Sequence, residues 1–227
     1  EKAQYGAYTI RPRLYRLLPN FLHPYETPHA QYRWKRPRTF HADSVSEDIT
    51  RGWKHLDRSV LPVDAWKGGT HAALQRLKLF TGEMLETYEV RRNHPETDGT
   101  SCLSPYLHYG HSGPLTIALA VDAAAKANPK LQSARDSYFN ELIAWRELAI
   151  NFVRYTPHYD SPQCAEDWAK ATIAEHARDE RERIYTLEEL ESAQTYDDLW
   201  NAGQIQMVRY GWMHNYLRMY WAKKILE

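Results

Sequence analysis

The sequence is poor in cysteine and phenylalanine, carries no net charge and contains no long apolar run. Its two cysteines, Cys102 and Cys164, lie far apart and in no metal or redox spacing. That excludes a disulfide framework and fits a reducing compartment. Charge balances at 29 Lys+Arg against 29 Asp+Glu. Bulk positive charge is therefore excluded as a means of holding nucleic acid, while a local basic groove stays open. The longest apolar stretch, Ile117 to Val121, stops at Asp122. It falls far short of the ~20 residues that span a bilayer, so no membrane partner is expected. The N-terminus, Glu1-Lys-Ala-Gln-Tyr-Gly6, lacks the apolar core of a signal peptide. A soluble intracellular protein, cytoplasmic or nuclear, is the expectation.

Period-two alternation, internal repeats and low-complexity tracts are also missing, as are Walker and Rossmann glycine patterns. What the chain has in quantity is amphipathic rings: 8 Trp and 16 Tyr against 5 Phe. Its 227 residues suffice for one large domain or two small ones.

The expected fold class is all-α. Residues 1–42 read as a linker, because Pro12, Pro19, Pro24, Pro28 and Pro37 allow at most short helical turns. Residues 43–227 read as a helical domain. Ser44 and Glu47 have capping-box spacing and predict a helix to about Arg58. Ala73, Leu77, Phe80, Met84 and Tyr88 mark a helix from His71 to Val90. A loop from Asn93 to Ser101 precedes a short helix bracketed by Pro105 and Gly110. Leu115 to Ala127 is helical, and Leu131 to Tyr155 reads as one long helix closed by Pro157. Further helices are expected over Glu166 to Arg178, from caps at Thr186 and Thr195, and over His214 to Glu227. A start without Met and an end without a helix stop suggest a piece of something longer.

Three segments concentrate chemistry. Thr100-Ser-Cys-Leu-Ser-Pro105 sets three hydroxyls before a proline that suits a helix start. Such hydroxyls with free backbone N–H groups form an anion site, typically for phosphate; an ordinary cap at Ser104 is the other reading. Glu141 and Trp145, four apart, share a helix face. A carboxylate beside an indole could accept base N–H groups while the ring packs on a base; spacing alone favours a surface ion pair over a core Trp. Trp200 to Trp221 gathers three Trp with Asn215, Arg218 and Met219, more than packing needs. His108 and His111 lack a third ligand, so no metal site is expected. Tyr32 to Arg38 mixes cations and aromatics, and a solvated linker is the expectation there.

Taken together, Thr100-Ser-Cys-Leu-Ser-Pro-Tyr-Leu-His-Tyr-Gly110, Glu141-Leu-Ile-Ala-Trp-Arg-Glu147 and Trp212-Met-His-Asn-Tyr-Leu-Arg-Met-Tyr-Trp-Ala-Lys-Lys-Ile-Leu226 resemble the photolyase and cryptochrome family. Thr9-Ile-Arg-Pro12, Trp200-Asn-Ala-Gly-Gln-Ile-Gln-Met207 and Tyr220-Trp-Ala-Lys-Lys224 resemble its class II cyclobutane pyrimidine dimer photolyases. The resemblance covers most of the chain. It departs at Tyr109, where Phe is common, and at His111-Ser-Gly-Pro114.

The resemblance implies an all-helical FAD-binding domain, incomplete at its C-terminus, preceded by an interdomain linker. It implies an α/β antenna domain, with a possible antenna chromophore, ahead of Glu1 and outside this sequence. It implies FAD, active when fully reduced, with Tyr88, Thr100, Ser101, Cys102, Leu103 and Ser104 at its phosphates and Arg218 beside the isoalloxazine. Glu141, Trp145, Asn215 and Met219 would face a flipped pyrimidine dimer. Trp221 and Trp200 would belong to the electron relay, whose third Trp follows Glu227. The implied reaction is light-dependent repair of dimers in UV-damaged DNA by a monomer. A cryptochrome-like photoreceptor and a flavin-free helical module that binds DNA or a partner are the alternatives. Five remaining Trp are expected to serve packing.

Overall fold

The computed structural model describes residues 2–26, 28–35, 37, 39, 50 and 52–226. Among these the regular structure is entirely helical. The core forms around three runs: α2 (Thr70–Leu79) continued to α3 (Tyr88–Arg91), α5 (Pro114–Ala127), and α6 (Gln132–Phe139) continued to α7 (Arg146–Tyr155). Phe80, Leu85, Leu103, Ile117, Val121 and Phe139 are fully buried between them. On α5, Ile117, Val121 and Ala125 repeat every four residues, which is the apolar stripe of a packed helix. Asp122 is buried beside that stripe and is offset by Arg135 at 2.7 Å and Lys126 at 2.7 Å.

Two of the expected helices contain a wider, π-helical turn. One is Phe80–Met84, between α2 and the 3-10 turn Leu85–Thr87 that leads into α3. The other is Asn140–Trp145, which joins α6 to α7 without a break. A single π turn barely disturbs the apolar period, so both helices read as uninterrupted in sequence. Such turns cluster at functional sites because they re-aim side chains.

The N-terminal segment corrects one expectation. Ala7–Leu17 forms a helix, α1, that runs through Pro12. Pro12 cannot donate to the Tyr8 carbonyl, but both residues are exposed and water can take the freed oxygen. Ala7 and Ile10 are buried on the opposite face, and Tyr15 and Leu18 pack against the core. Burial of that stripe outweighs one missing bond. Asn151 clamps the segment before α1, accepting from Gln4 N–H at 2.7 Å and donating to the Lys2 carbonyl at 3.2 Å.

The Ser44–Glu47 pair lies outside the described residues. Thr50 and residues 52–58 are turn or irregular, so the helix expected to reach Arg58 is not formed there. The next helices are α4 (Ser104–His108) and α8 (Asp167–Glu175). Thr186 and Glu189 make the full capping box of α9 (Leu187–Glu191). The cap of α10 (Asp198–Tyr210) is Asp197, not Thr195: its carboxylate accepts from the Leu199 and Trp200 N–H groups. Thr195 instead anchors Asn201. Gly211 ends α10 in the left-handed conformation, φ 63°, where a β-carbon would press on Val63 at 3.2 Å. The chain then reverses into α11 (Asn215–Leu226).

Of the five Trp assigned to packing, Trp66 packs against the core and Trp212 sits edge-on to His214. Trp34, Trp53 and Trp168 are exposed, which overturns the expectation for them. No helix of the described residues is long and apolar enough to cross a membrane.

Candidate functional site

The site assembles where α3, the Thr100–Ser104 loop, the π turn Asn140–Trp145 and α11 approach one another. Tyr88 opens α3 with its ring buried against Phe80 at 5.5 Å and Tyr138 at 5.2 Å. Burial pushes the Tyr88 phenol up to about 12, with nearby Arg92 opposing it. The Tyr138 hydroxyl donates to Ser101 Oγ at 3.3 Å, so the same aromatic cluster ties down the hydroxyl loop. From the other side Arg76 donates to the Ser101 carbonyl at 2.8 Å and the Thr100 carbonyl at 3.2 Å.

Cys102 is held in the left-handed region at φ 52°, with its sulfur 3.2 Å from Thr100 Oγ1. A side chain persists there only where its surroundings over-determine the backbone, as Arg76 and Tyr138 do here. The cap of α4 is Leu103 and makes no side-chain bond, so Ser104 stands at the first helical position. That removes the simple cap reading of Ser104. Its exposed hydroxyl, those of Thr100 and Ser101, and the N–H groups of a helix start form a donor set suited to phosphate.

Glu141 lies at the start of the π turn. Arg92, directly after α3, pairs with its Oε1 at 2.8 Å and stands over the Tyr88 ring at 5.7 Å. Burial works to lower the Arg92 pKa, and hydrogen bonding and charge from Glu141 outweigh it, so the value is raised. Arg92 Nε is buried with no hydrogen-bond partner among the described residues. Arg92 thus links Tyr88 to Glu141. Sequence reasoning missed it; its i, i+4 spacing from Tyr88 was the only local signal. Trp145, four residues past Glu141, is 48% exposed rather than core.

The α10–α11 pair docks onto the same point. Buried His214 donates from Nε2 to the Arg92 carbonyl at 3.0 Å and accepts the Tyr216 N–H at Nδ1. These two bonds require the neutral Nε2–H tautomer. The Tyr216 hydroxyl donates to Asn93 at 3.3 Å, and Trp66 Nε1 donates to the Tyr210 carbonyl at 2.6 Å. This placement brings the first turn of α11 beside Arg92. Arg218 donates to Asn215 Oδ1 at 3.4 Å, and Met219 is 44% exposed.

Burial pushes the His214 pKa down, and Arg218 adds to the effect. The fold therefore favours the neutral ring. The docking contributes fully above the unfolded value near 6.5 and is lost as pH falls through the folded value. Urea midpoints should drop between pH 7.5 and pH 5.5, by more in the native protein than in His214→Gln. Equal drops would remove His214 as the acid-sensitive contact.

Trp200 and Trp221 stack at 4.6 Å between ring centroids, 18° from parallel. Trp200 is buried and donates from Nε1 to the Leu190 carbonyl at 3.3 Å. Trp221 Nε1 is buried and meets no hydrogen-bond partner among the described residues. Asp197 joins the two helices: it caps α10 and accepts from the Tyr220 hydroxyl on α11. Elsewhere, His111 Nδ1 accepts the Gly69 N–H. No group of three metal-ligating side chains forms among the described residues.

No family model matches the chain. It is 39% identical, over its whole length, to the deoxyribodipyrimidine photo-lyase of Potorous tridactylus, spanning 42% of that protein. It is likewise 39% identical over its whole length to deoxyribodipyrimidine photo-lyases of Methanothermobacter thermautotrophicus and Oryza sativa, spanning 48% and 45% of them. The structure of a class III photolyase from Agrobacterium tumefaciens matches with a TM-score of 0.54 and 25% identity, over 72% of this chain and 32% of that one. The chain thus spans somewhat under half the length of the curated relatives it matches. With that identity along its whole length, and with the same helical scaffold, the chain belongs to the photolyase family.

Proposed function

We propose that this chain supplies the cofactor- and lesion-facing part of an enzyme that repairs cyclobutane pyrimidine dimers in DNA with light. The observation that carries the reading is the Tyr88–Arg92–Glu141 link, which connects a carboxylate, through the Tyr88–Tyr138 ring contact, to a hydroxyl loop suited to phosphate.

The donor set fits FAD. Thr100, Ser101 and Ser104 offer hydroxyls, Cys102 and Leu103 offer backbone, and Tyr88 stands behind them. Arg218 lies on the helix that docks at Arg92 and would stand beside the ring system of a bound FAD. When bound and reduced, FAD would lend the dimer an electron on illumination and take it back once the two pyrimidines separate.

Glu141 accepts N–H groups of the flipped dimer and stabilises it as it gains charge. The open face of Trp145 packs on the dimer, with Asn215 and Met219 on the α11 side. Damaged bases stack and pair poorly, which lowers the cost of extrusion. Trp200 and Trp221 would carry electrons to a bound, oxidised flavin and so return it to the reduced form. The two indoles sit in contact, with one N–H anchored.

Glu141→Ala should lower the light-driven repair yield roughly tenfold, the worth of one charge-assisted hydrogen bond. The flavin absorption of the purified protein should be unchanged. Loss of flavin from that variant would move Glu141 from the lesion to the cofactor.

A further inference from the structure

The segment that reads as linker reaches the site. Arg11 on α1 donates from Nε to Asn140 Oδ1 at 2.7 Å. Asn140 Nδ2 in turn donates to Glu141 Oε1 at 3.2 Å, the same oxygen that Arg92 meets at 2.8 Å. No hydrogen bond from a described residue falls on Oε2. Glu141 is thus gripped at one oxygen, and its side chain is still 34% exposed.

We infer that Arg11, acting through Asn140, is a positioning residue that sets the Glu141 carboxylate for the dimer. The inference rests on the reading of Glu141 as the dimer-facing carboxylate. A guanidinium only donates. It therefore holds the Asn140 oxygen toward itself and leaves the amide nitrogen to face Glu141. Without Arg11 the amide can turn its oxygen toward a carboxylate, which repels. The π turn makes the pairing reachable. Consecutive side chains on an α-helix do not face each other, and more residues per turn bring neighbours closer in angle.

Arg11 is not needed to dock α1. Ala7 and Ile10 are buried under the helix, and Asn151 clamps the segment before it. The Arg11 bond sets an orientation on a helix already anchored.

The test is a double-mutant cycle in the flavin-loaded protein, in the dark. The readout is affinity for an oligonucleotide with a single thymine dimer, relative to the undamaged strand. Arg11→Met should reduce that preference about three- to tenfold, with unchanged circular dichroism. Arg11→Lys should restore most of it. In a Glu141→Gln background, Arg11→Met should cost nothing further. Equal loss in both backgrounds would mean that α1 acts as mere packing, and would overturn the inference. Asn140→Asp keeps a partner for Arg11 but puts a like charge against Glu141. It should lose as much preference as Glu141→Gln, and an unchanged preference would also overturn the inference. Undiminished preference in Glu141→Gln itself is a separate failure: it would overturn the reading of Glu141, and this inference with it.

Discussion

Gly99→Ala should cost about 3 kcal/mol of stability and displace the hydroxyl loop that follows it. A β-carbon at Gly99 would collide with the Arg91 carbonyl oxygen and carbon. No flexible side-chain end is there to move aside, only backbone and the Arg91 Cβ fixed to it. That oxygen is fixed from two sides, accepting from the His94 N–H at 3.0 Å and Thr97 Oγ1 at 3.1 Å. The loop must therefore open, or the end of α3 must shift. Either movement reaches Thr100 on one side or Arg92 on the other. Thermal melting should show the loss directly, and flavin occupancy should fall with it. An unchanged melting temperature would mean that the approach of Gly99 to Arg91 is not a fixed feature of the fold.

Trp221→Phe should abolish light-driven reduction of the bound flavin, bringing it to the level of an unlit sample. Dimer repair by chemically reduced protein should continue. The indoles of Trp200 and Trp221 overlap at 4.6 Å, and α10 and α11 are locked together by the Asp197–Tyr220 bond. Phenylalanine keeps the packing but is far harder to oxidise than indole. The buried, unpartnered Nε1 of Trp221 means that its loss strands no acceptor in the described protein. Transient absorption after a flash separates the two steps. Unimpaired photoreduction would remove Trp221 from the electron path.

Most helices could be read from the sequence because each carries its own signals. The apolar stripe of α5, the capping box at Thr186 and the glycine after α10 are all local. What escaped was decided by tertiary packing. Pro12 argued against α1, and burial of Ala7 and Ile10 overrode it. The cap at Asp197 rather than Thr195 depended on which side chain the fold left free to bond the Trp200 N–H. The two π turns change the apolar period too little to register.

The candidate site divides along the same line. Tyr88, the Thr100–Ser104 loop, Glu141 and the stacked Trp pair were found through motifs. Arg92 and Glu141 are far apart in sequence, and so are Arg11 and Asn140, His214 and Arg92. No local period records such pairs. Exposure of Trp145 separates it from the core reading that spacing allowed.

The most direct test uses an oligonucleotide with a single thymine dimer and the purified, flavin-loaded protein. Incubation under blue light should restore intact pyrimidines, and incubation in darkness should restore none. Equal repair in the dark, or none in the light with reduced flavin bound, would contradict the assignment of Glu141 and its neighbours to light-driven dimer repair.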